Sequence, residues 1–575
     1  MSRILHLPKR PPLDGAVELI EPMTEWLRCP TGTQRLRPIQ AFGLYELAEH
    51  GGAILAARVG GGKTLPLGLG ATVLGAKRPL LINPAADVKD KREEYRILRK
   101  HWRIPHLEII SYHTLSRAQK CPTHGTKPCD CERPTFLDLY QPDYIGADEC
   151  QALRYVESAA CARKFSKYAA TPAGQACAYM FATGTMARTG MTDYAHMLVW
   201  GLKHGAPIPL EPEVQQEWSC LIDGTGEAGG RSLSYEILQP HFDRPVFSRE
   251  SAQEAFGDRL EQTPGVVISR DLFDDQPLTI SPLHWPAPEN LEQQWYDLRK
   301  LWTLPDGWLL PDKSVGVWNA AHQLACGFFY TADPCPPTDW LEKYKQWAKF
   351  CRTVLEGSDT LDSESQVKDA CRAGMLPSFA LDEWEAIAPS FTRNTVPVWL
   401  STHAIEQAAA WGQAGGIVWS TYRAFGAALA ERTGWPYYGR EGRDAAGRSI
   451  NKAQAPTIIA STRSCSTSRN LQIDVGPGGQ GYNRNLFVCP PQKAVDWEQR
   501  IGRTHRDRQT RPVHVDYVVG CLENFVALHI GLGYAQRAET IEKQPQKILN
   551  CHALLPRAEW ATGAAFGVLK ANGET

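Results

Sequence analysis

Three short segments hold the residues best able to do chemistry. The stretch AARVGGGKT (56–64) runs from apolar residues into a glycine turn that ends in Lys63 and Thr64. Successive backbone N–H groups in such a turn, aimed from the start of a helix, form an anion cradle. Gly60, Gly61 and Gly62 would let the backbone close on a phosphate. Lys63 would neutralise the outer phosphates of a nucleotide, and the Thr64 hydroxyl would ligate Mg2+. Ala57 stands where the strict pattern begins with glycine. Further on, the apolar run YIGA (144–147) ends in Asp148 and Glu149. Adjacent carboxylates at the end of a buried strand are costly unless paired, and a Mg2+ ion removes that cost. Asp148 would hold the metal, and Glu149 would orient or deprotonate an attacking water. An acidic pair stabilised by a helix dipole is the alternative. The third segment is EQRIGRTHRDRQTRP (498–512), with arginines at 500, 503, 506, 508 and 511 in a chain of formal net charge −1. A solvated face, a nucleic-acid patch and a phosphate clamp all fit those guanidinium groups.

A fourth cluster, CPTHGTKPCDC (121–131), sets Cys121, His124, Cys129 and Cys131 within one loop. Four soft ligands at short spacing, with Pro and Gly between them, suit a tetrahedral structural Zn2+. The alternative is an exposed loop of free thiols. Cys150, Cys161 and Cys177 read as small packing residues.

The elements that must position these groups follow from the pattern of apolar runs. GGAILAARV (51–59), RPLLINPA (78–85), HLEIISY (106–112), PDYIGADE (142–149) and AYMFATGT (178–185) each read as a buried strand followed by turn chemistry. A second set, GGIVWSTY (415–422), PTIIAST (456–462), RNLFVCP (484–490) and RPVHVDYVV (511–519), repeats the texture. Strands alternating with amphipathic stretches predict an α/β fold with parallel sheets. The expected organisation is a Pro-rich arm over 1–30, a first lobe over 31–275 and a largely helical insertion over 276–395. A second lobe over 396–545 and a peripheral tail over 546–575 complete it.

Composition narrows the class. The chain has 575 residues, 43% hydrophobic and 22% charged, as in an ordinary multidomain globular protein. The near-neutral balance excludes a chain that is basic throughout, yet leaves room for a local basic channel. No apolar run reaches the ~18 residues of a membrane span, and the start MSRILHLPKRPPLD lacks the apolar core of a secretory signal. The expectation is a cytoplasmic protein, without membrane partners, whose sixteen cysteines are mostly reduced.

The order of these segments resembles the superfamily-two helicase-like ATPases, and among them the Swi/Snf-type DNA translocases, over roughly residues 35 to 520. LRPIQ (36–40) resembles the family's opening motif, GGGKT motif I and ADEC motif II. IISYHTLSR (109–117), FATGTMAR (181–188), IVWSTYRAF (417–425) and SRNLQ (468–472) resemble further motifs. QRIGRTHRDRQ (499–509) resembles motif VI with the His-Arg and trailing Gln of that branch.

The resemblance implies two RecA-like lobes around a shared ATP, with the Cys/His loop as a zinc-knuckle-like insertion in the first. It implies that Arg37 and Gln40 bind nucleotide, Gln40 at the base. Thr183, Gly184 and Thr185 would couple nucleotide state to lobe closure. Arg503 and Arg506, with Gln499 beside them, would stabilise the transferring phosphoryl group. Ser111, Thr114, Arg188, Ser420, Arg423 and Asn470 would contact a nucleic-acid backbone. Helix capping is the ordinary reading of the hydroxyls among them. The implied activity is an ATP-driven motor on duplex DNA. A strand-separating helicase on DNA or RNA and a degenerate ATPase acting as a scaffold are the other readings. SCSTSRNLQ departs from the glycines usual in motif V, which touches the coupling of turnover to movement.

Overall fold

The computed structural model describes residues 2–10, 17–57, 61–85, 87–117, 134–156, 159–184, 186, 190–224, 233–268, 276–286, 288–358, 361, 363–466 and 469–550. The chain is α/β, with two six-stranded sheets in which every strand pair is parallel. It divides into two compact units. Over the described residues, the first holds Met1–Asp275, Lys493–Gly502 and Leu532–Asn550; the second holds Gln276–Gln492 and Arg503–Gly531.

In the first unit the strands are β1 (Gly52–Ala56), β2 (Pro79–Asn83), β3 (Glu108–Ser111), β4 (Tyr144–Asp148), β5 (Ala178–Thr183) and β6 (Val266–Ile268). They lie in the order β3-β2-β4-β5-β1-β6. β1, β2 and β4 are buried at every residue, as expected for strands covered on both faces, which is why they read as continuous apolar runs. Parallel pairing sends all carboxyl ends to one edge, where open α/β sheets carry their sites. The helix after the glycine turn, Thr64–Val73, runs unbroken through Gly68 and Gly70. A Cβ on Gly68 would stand 2.4 Å from the Tyr95 ring, and one on Gly70 would stand 2.4 Å from the Tyr144 hydroxyl. The small residues let this helix lie close on its neighbours.

In the second unit, β7 (Leu278–His284), β10 (Gly416–Ser420), β11 (Tyr437–Tyr438), β12 (Thr457–Ser461), β13 (Arg484–Phe487) and β14 (Val513–Val519) form the order β11-β12-β10-β13-β14-β7. β8 (Phe328–Ala332) and β9 (Thr395–Trp399) make a separate antiparallel ribbon.

The expected boundaries need correction in three places. Residues 17–27, placed in an arm, form a helix whose Ile20, Met23 and Leu27 are buried with Leu36 and Ile39 in the first unit. The span 276–395 is mostly helical, around a core containing Trp295, Trp308, Trp340 and Tyr344. It is not a separate insertion, because it also supplies β7 to the second sheet, where Pro282 is tolerated on an edge strand. Finally, 493–502 and 532–545, placed in the second lobe, group with the first unit. Among the described residues no helix is long and apolar enough to cross a membrane, and every cysteine there is a free thiol.

Candidate nucleotide site

The glycine turn and the acidic strand end meet in the first unit. β1 and β4 flank β5, so the segments that follow them leave the same sheet edge. Lys63 Nζ stands 3.7 Å from Glu149 Oε1 and donates to the Ala57 carbonyl at 3.3 Å. Lys63 and Asp148 are both buried, at 9% and 6% exposure, so neither charge is screened as a surface charge would be. The Tyr112 hydroxyl donates to the Asp148 carbonyl at 2.8 Å. The Glu149 N–H donates to Asp148 Oδ1 at 3.0 Å, with Glu149 itself in the left-handed region at φ 50°. A non-glycine residue there is strained, and such strain gathers at functional positions.

Gln40 sets the shape of the turn. Its Oε1 accepts from the Arg37 N–H and its Nε2 donates to the Gly62 carbonyl, each at 2.9 Å. In this structure the Gln40 amide is therefore engaged with the loop and only 5% exposed, not open toward a base. Gly62 has φ 78°, and a Cβ there would stand 2.4 Å from Gln40 Nε2. Gly61 is buried beside it. Thr64 opens its helix, and its carbonyl accepts from the Tyr95 hydroxyl at 2.7 Å.

Sequence reasoning missed four residues that complete the site. Lys91, on the helix Val88–Leu98, donates to the Thr64 hydroxyl and pairs with Asp148 Oδ2 at 3.2 Å. Burial works against its ammonium, but the charges of Asp148 and Glu94 outweigh that and raise its pKa. Gln151 donates to Glu149 Oε2 at 2.6 Å and accepts from the Thr183 hydroxyl at 2.9 Å. Gln151 lies two residues past Glu149 on the same turn, a signal available in the sequence. Lys91 had none, since its helix reads as an ordinary charged surface helix. Glu542 accepts from the Met186 N–H at 3.0 Å, and Gln544 donates to the Ala56 carbonyl at the end of β1. Nothing local in the last residues announces that placement.

Thr64 Oγ1 and Asp148 Oδ2 are both reached by the one Lys91 ammonium. A hydroxyl and a carboxylate that share one cation are a donor set suited to a hard ion such as Mg2+. Thr64 and Asp148 fit the metal role on that ground.

In the second unit Arg503 is buried at 4% exposure, and its Nη1 donates to the Arg469 carbonyl at 3.1 Å. Arg506 Nη1 donates to Asn470 Oδ1 at 2.7 Å, and Asn470 is exposed. The trailing Gln509 ties the segment together by donating to the Thr504 and Tyr482 carbonyls, each at 3.0 Å. Gln499 lies on the helix Ala494–Ile501, which groups with the first unit, so the segment QRIGRTHRDRQ (499–509) is divided between the two units. Arg511 donates to the backbone carbonyls of Gln480 and Gly481.

The other expected contacts divide by exposure. Ser420 is 1% exposed and donates to the Tyr422 carbonyl at 2.7 Å, which leaves it no hydroxyl facing a ligand. Ser111 caps its helix by accepting from the Thr114 N–H at 3.3 Å and lies 3.1 Å from the Thr114 hydroxyl, the capping alternative. Arg423 is exposed at the start of Arg423–Thr433. Cys150 and Cys177 are buried as packing residues, each thiol pushed up to about 12 by burial. Gly60, Thr185, Arg188 and the ligand set Cys121, His124, Cys129 and Cys131 lie outside the described residues.

Compared with known proteins, the chain matches no family model and no curated relative.

Proposed function

We propose that this chain is a nucleic-acid-dependent ATPase, a motor that hydrolyses ATP on duplex DNA, with its two parallel-sheet units as RecA-like lobes. The observation that carries the reading is the meeting of Lys63, Thr64, Asp148 and Glu149 at one sheet edge, with Lys63 Nζ 3.7 Å from Glu149 Oε1. A cation on a glycine turn, beside a carboxylate pair of which one can hold metal, suits phosphoryl transfer to water better than any other common chemistry.

In this reading the Gly61–Gly62 backbone and Lys63 bind the outer phosphates, and Thr64 and Asp148 hold Mg2+. The bound ion would neutralise charge on the phosphate oxygens. Glu149 orients the attacking water and takes its proton, while Gln151 fixes the carboxylate. Arg506 is the stronger candidate for the phosphoryl-stabilising guanidinium, since Arg503 is buried on a carbonyl. Arg423 and Asn470, both exposed, are the best-placed groups for a nucleic-acid backbone; such contacts give affinity with little sequence information.

The test is ATP hydrolysis alone and with duplex DNA, single-stranded DNA or RNA, beside Lys63→Ala and Arg506→Ala. Stimulation chiefly by duplex, lost in both variants, is expected. Stimulation by RNA alone would overturn the duplex-DNA reading, and strand separation would make the protein a helicase. The absence of turnover under every condition would leave the scaffold.

A further inference from the structure

β2 pairs in parallel with β4, Ile82 opposite Ala147, so the helix that follows β2 begins at the sheet edge where Asp148 emerges. Lys91, in its first turns, thereby reaches into the site. Its Nζ stands 3.2 Å from Asp148 Oδ2 and donates to the Thr64 hydroxyl. These are the two oxygens that would hold Mg2+. The same ammonium stands 3.2 Å from Glu94 Oε2, on the solvent side, where the Glu94 side chain is 47% exposed.

We propose, resting on the nucleotide-site reading above, that Lys91 is an internal counter-cation that holds the metal position in the nucleotide-free protein and must yield it to the divalent ion. An ammonium and a divalent ion cannot share one carboxylate and one hydroxyl at close range without strong repulsion. The Lys91 side chain in its present seat is 15% exposed and that of Asp148 8%, so withdrawing the ammonium without a replacement would leave Asp148 buried and unpaired. A four-carbon stem lets the ammonium swing outward, and Glu94, already in contact, keeps a partner for it. The exchange makes divalent-ion binding and release of Lys91 one coupled equilibrium. In the absence of metal, Lys91 keeps the end of β4 and the start of the Thr64 helix joined.

Two measurements on the full chain test this. The first titrates nucleotide-free protein with Mn2+ and follows the free ion by paramagnetic resonance. Lys91→Met and Lys91→Gln should bind Mn2+ about tenfold more tightly than the parent, Lys91→Arg should not, and Asp148→Asn should abolish binding. Affinities of Lys91→Met and Lys91→Gln within about twofold of the parent would overturn the proposal. The second needs no variant: acetylation of Lys91 by an amine-reactive reagent, read by mass spectrometry. Lys91 should be slow to react in the nucleotide-free protein and with metal-free ADP, and react several-fold faster with Mg2+ and ADP. Equal labelling in all states would overturn the proposal even if the variants failed to fold. Failure of the parent to bind ADP, with Mn2+ still competing with Lys91, would instead count against the nucleotide reading.

Discussion

The Thr183 hydroxyl donates to Gln151 Oε1 at 2.9 Å, joining the end of β5 to the turn that bears Glu149. Gln151 passes the link on through its 2.6 Å bond to Glu149 Oε2. The pair thus ties the FATGT segment to the group assigned to activate water. Replacing Gln151 with Ala removes the bond that orients Glu149 Oε2, and misplacing a catalytic group by up to about 1 Å costs on the order of 10–100-fold in rate. The expected outcome is a kcat lower by that factor with little change in KM for ATP, and Thr183→Val should show a smaller effect of the same kind. Steady-state kinetics with saturating duplex DNA checks this; a rise in KM alone would argue that Gln151 binds nucleotide instead.

Gly62 combines a left-handed φ of 78° with a neighbour 2.4 Å from any added Cβ. Gly62→Ala therefore incurs about 1–2 kcal/mol of backbone strain and displaces the Gln40 amide from the loop. Nucleotide affinity should fall roughly tenfold or more, read as binding of a fluorescent ADP. Gln40→Ala removes two hydrogen bonds, from the Arg37 N–H and to the Gly62 carbonyl, without the strain and should cost about 2 kcal/mol.

In the second unit Arg299 grips Glu523 through two bonds, Nε to Oε1 at 2.7 Å and Nη2 to Oε2 at 2.8 Å. Burial raises the Glu523 pKa, but the Arg299 bonds outweigh it and the carboxyl sits below its ordinary value. Removing one partner leaves the other charge in a poorly solvated place. Glu523→Gln should destabilise by about 2 kcal/mol, allowing for the partial exposure of Arg299. The double variant Arg299→Met/Glu523→Met should recover much of that loss in denaturant unfolding.

His196 is held neutral. Burial drives its pKa down to about 4, and its Nε2 lies 2.8 Å from the Leu153 carbonyl. The unfolded chain takes up the proton near pH 6.5, well before the folded one does near 4. Stability is thus full above about pH 6.5 and falls as pH drops toward 4, by about 3 kcal/mol across the window. His196→Gln should flatten that part of the stability profile of the first unit; an unchanged profile would mean that His196 is charged when folded.

The Cys121, His124, Cys129 and Cys131 cluster predicts about one zinc per purified chain, lowered by Cys129→Ala. Elemental analysis decides it, with less than about 0.3 zinc per chain, unchanged in the variant, ending the idea.

Much of this fold is readable from local pattern. The nine expected strands all form, because a buried parallel strand must be a continuous apolar run and its turn must carry glycine, proline or short polar residues. β6, β7, β8, β9 and β11 were not expected. Several are short or sit at an edge, and β7 contains a proline, so neither length nor periodicity marks them. At the site, Lys63, Thr64, Asp148 and Glu149 carry their chemistry in their spacing. Gln40 does so only in part, since the sequence marks the residue and not its bond to Gly62.

From its sequence alone, this chain is an α/β protein with two strand sets, a phosphate-type glycine turn and an acidic strand end. Those features are local, set by side-chain burial and backbone geometry over a few residues. Tertiary structure alone decided that Lys91 faces Asp148, that Ser420 is buried, that residues 278–284 complete the second sheet, and that residues 532–550 belong with the first unit. Each depends on partners far apart in the chain. A side chain's partner across that distance is chosen by strand order and packing, and leaves no periodic trace in its own neighbourhood.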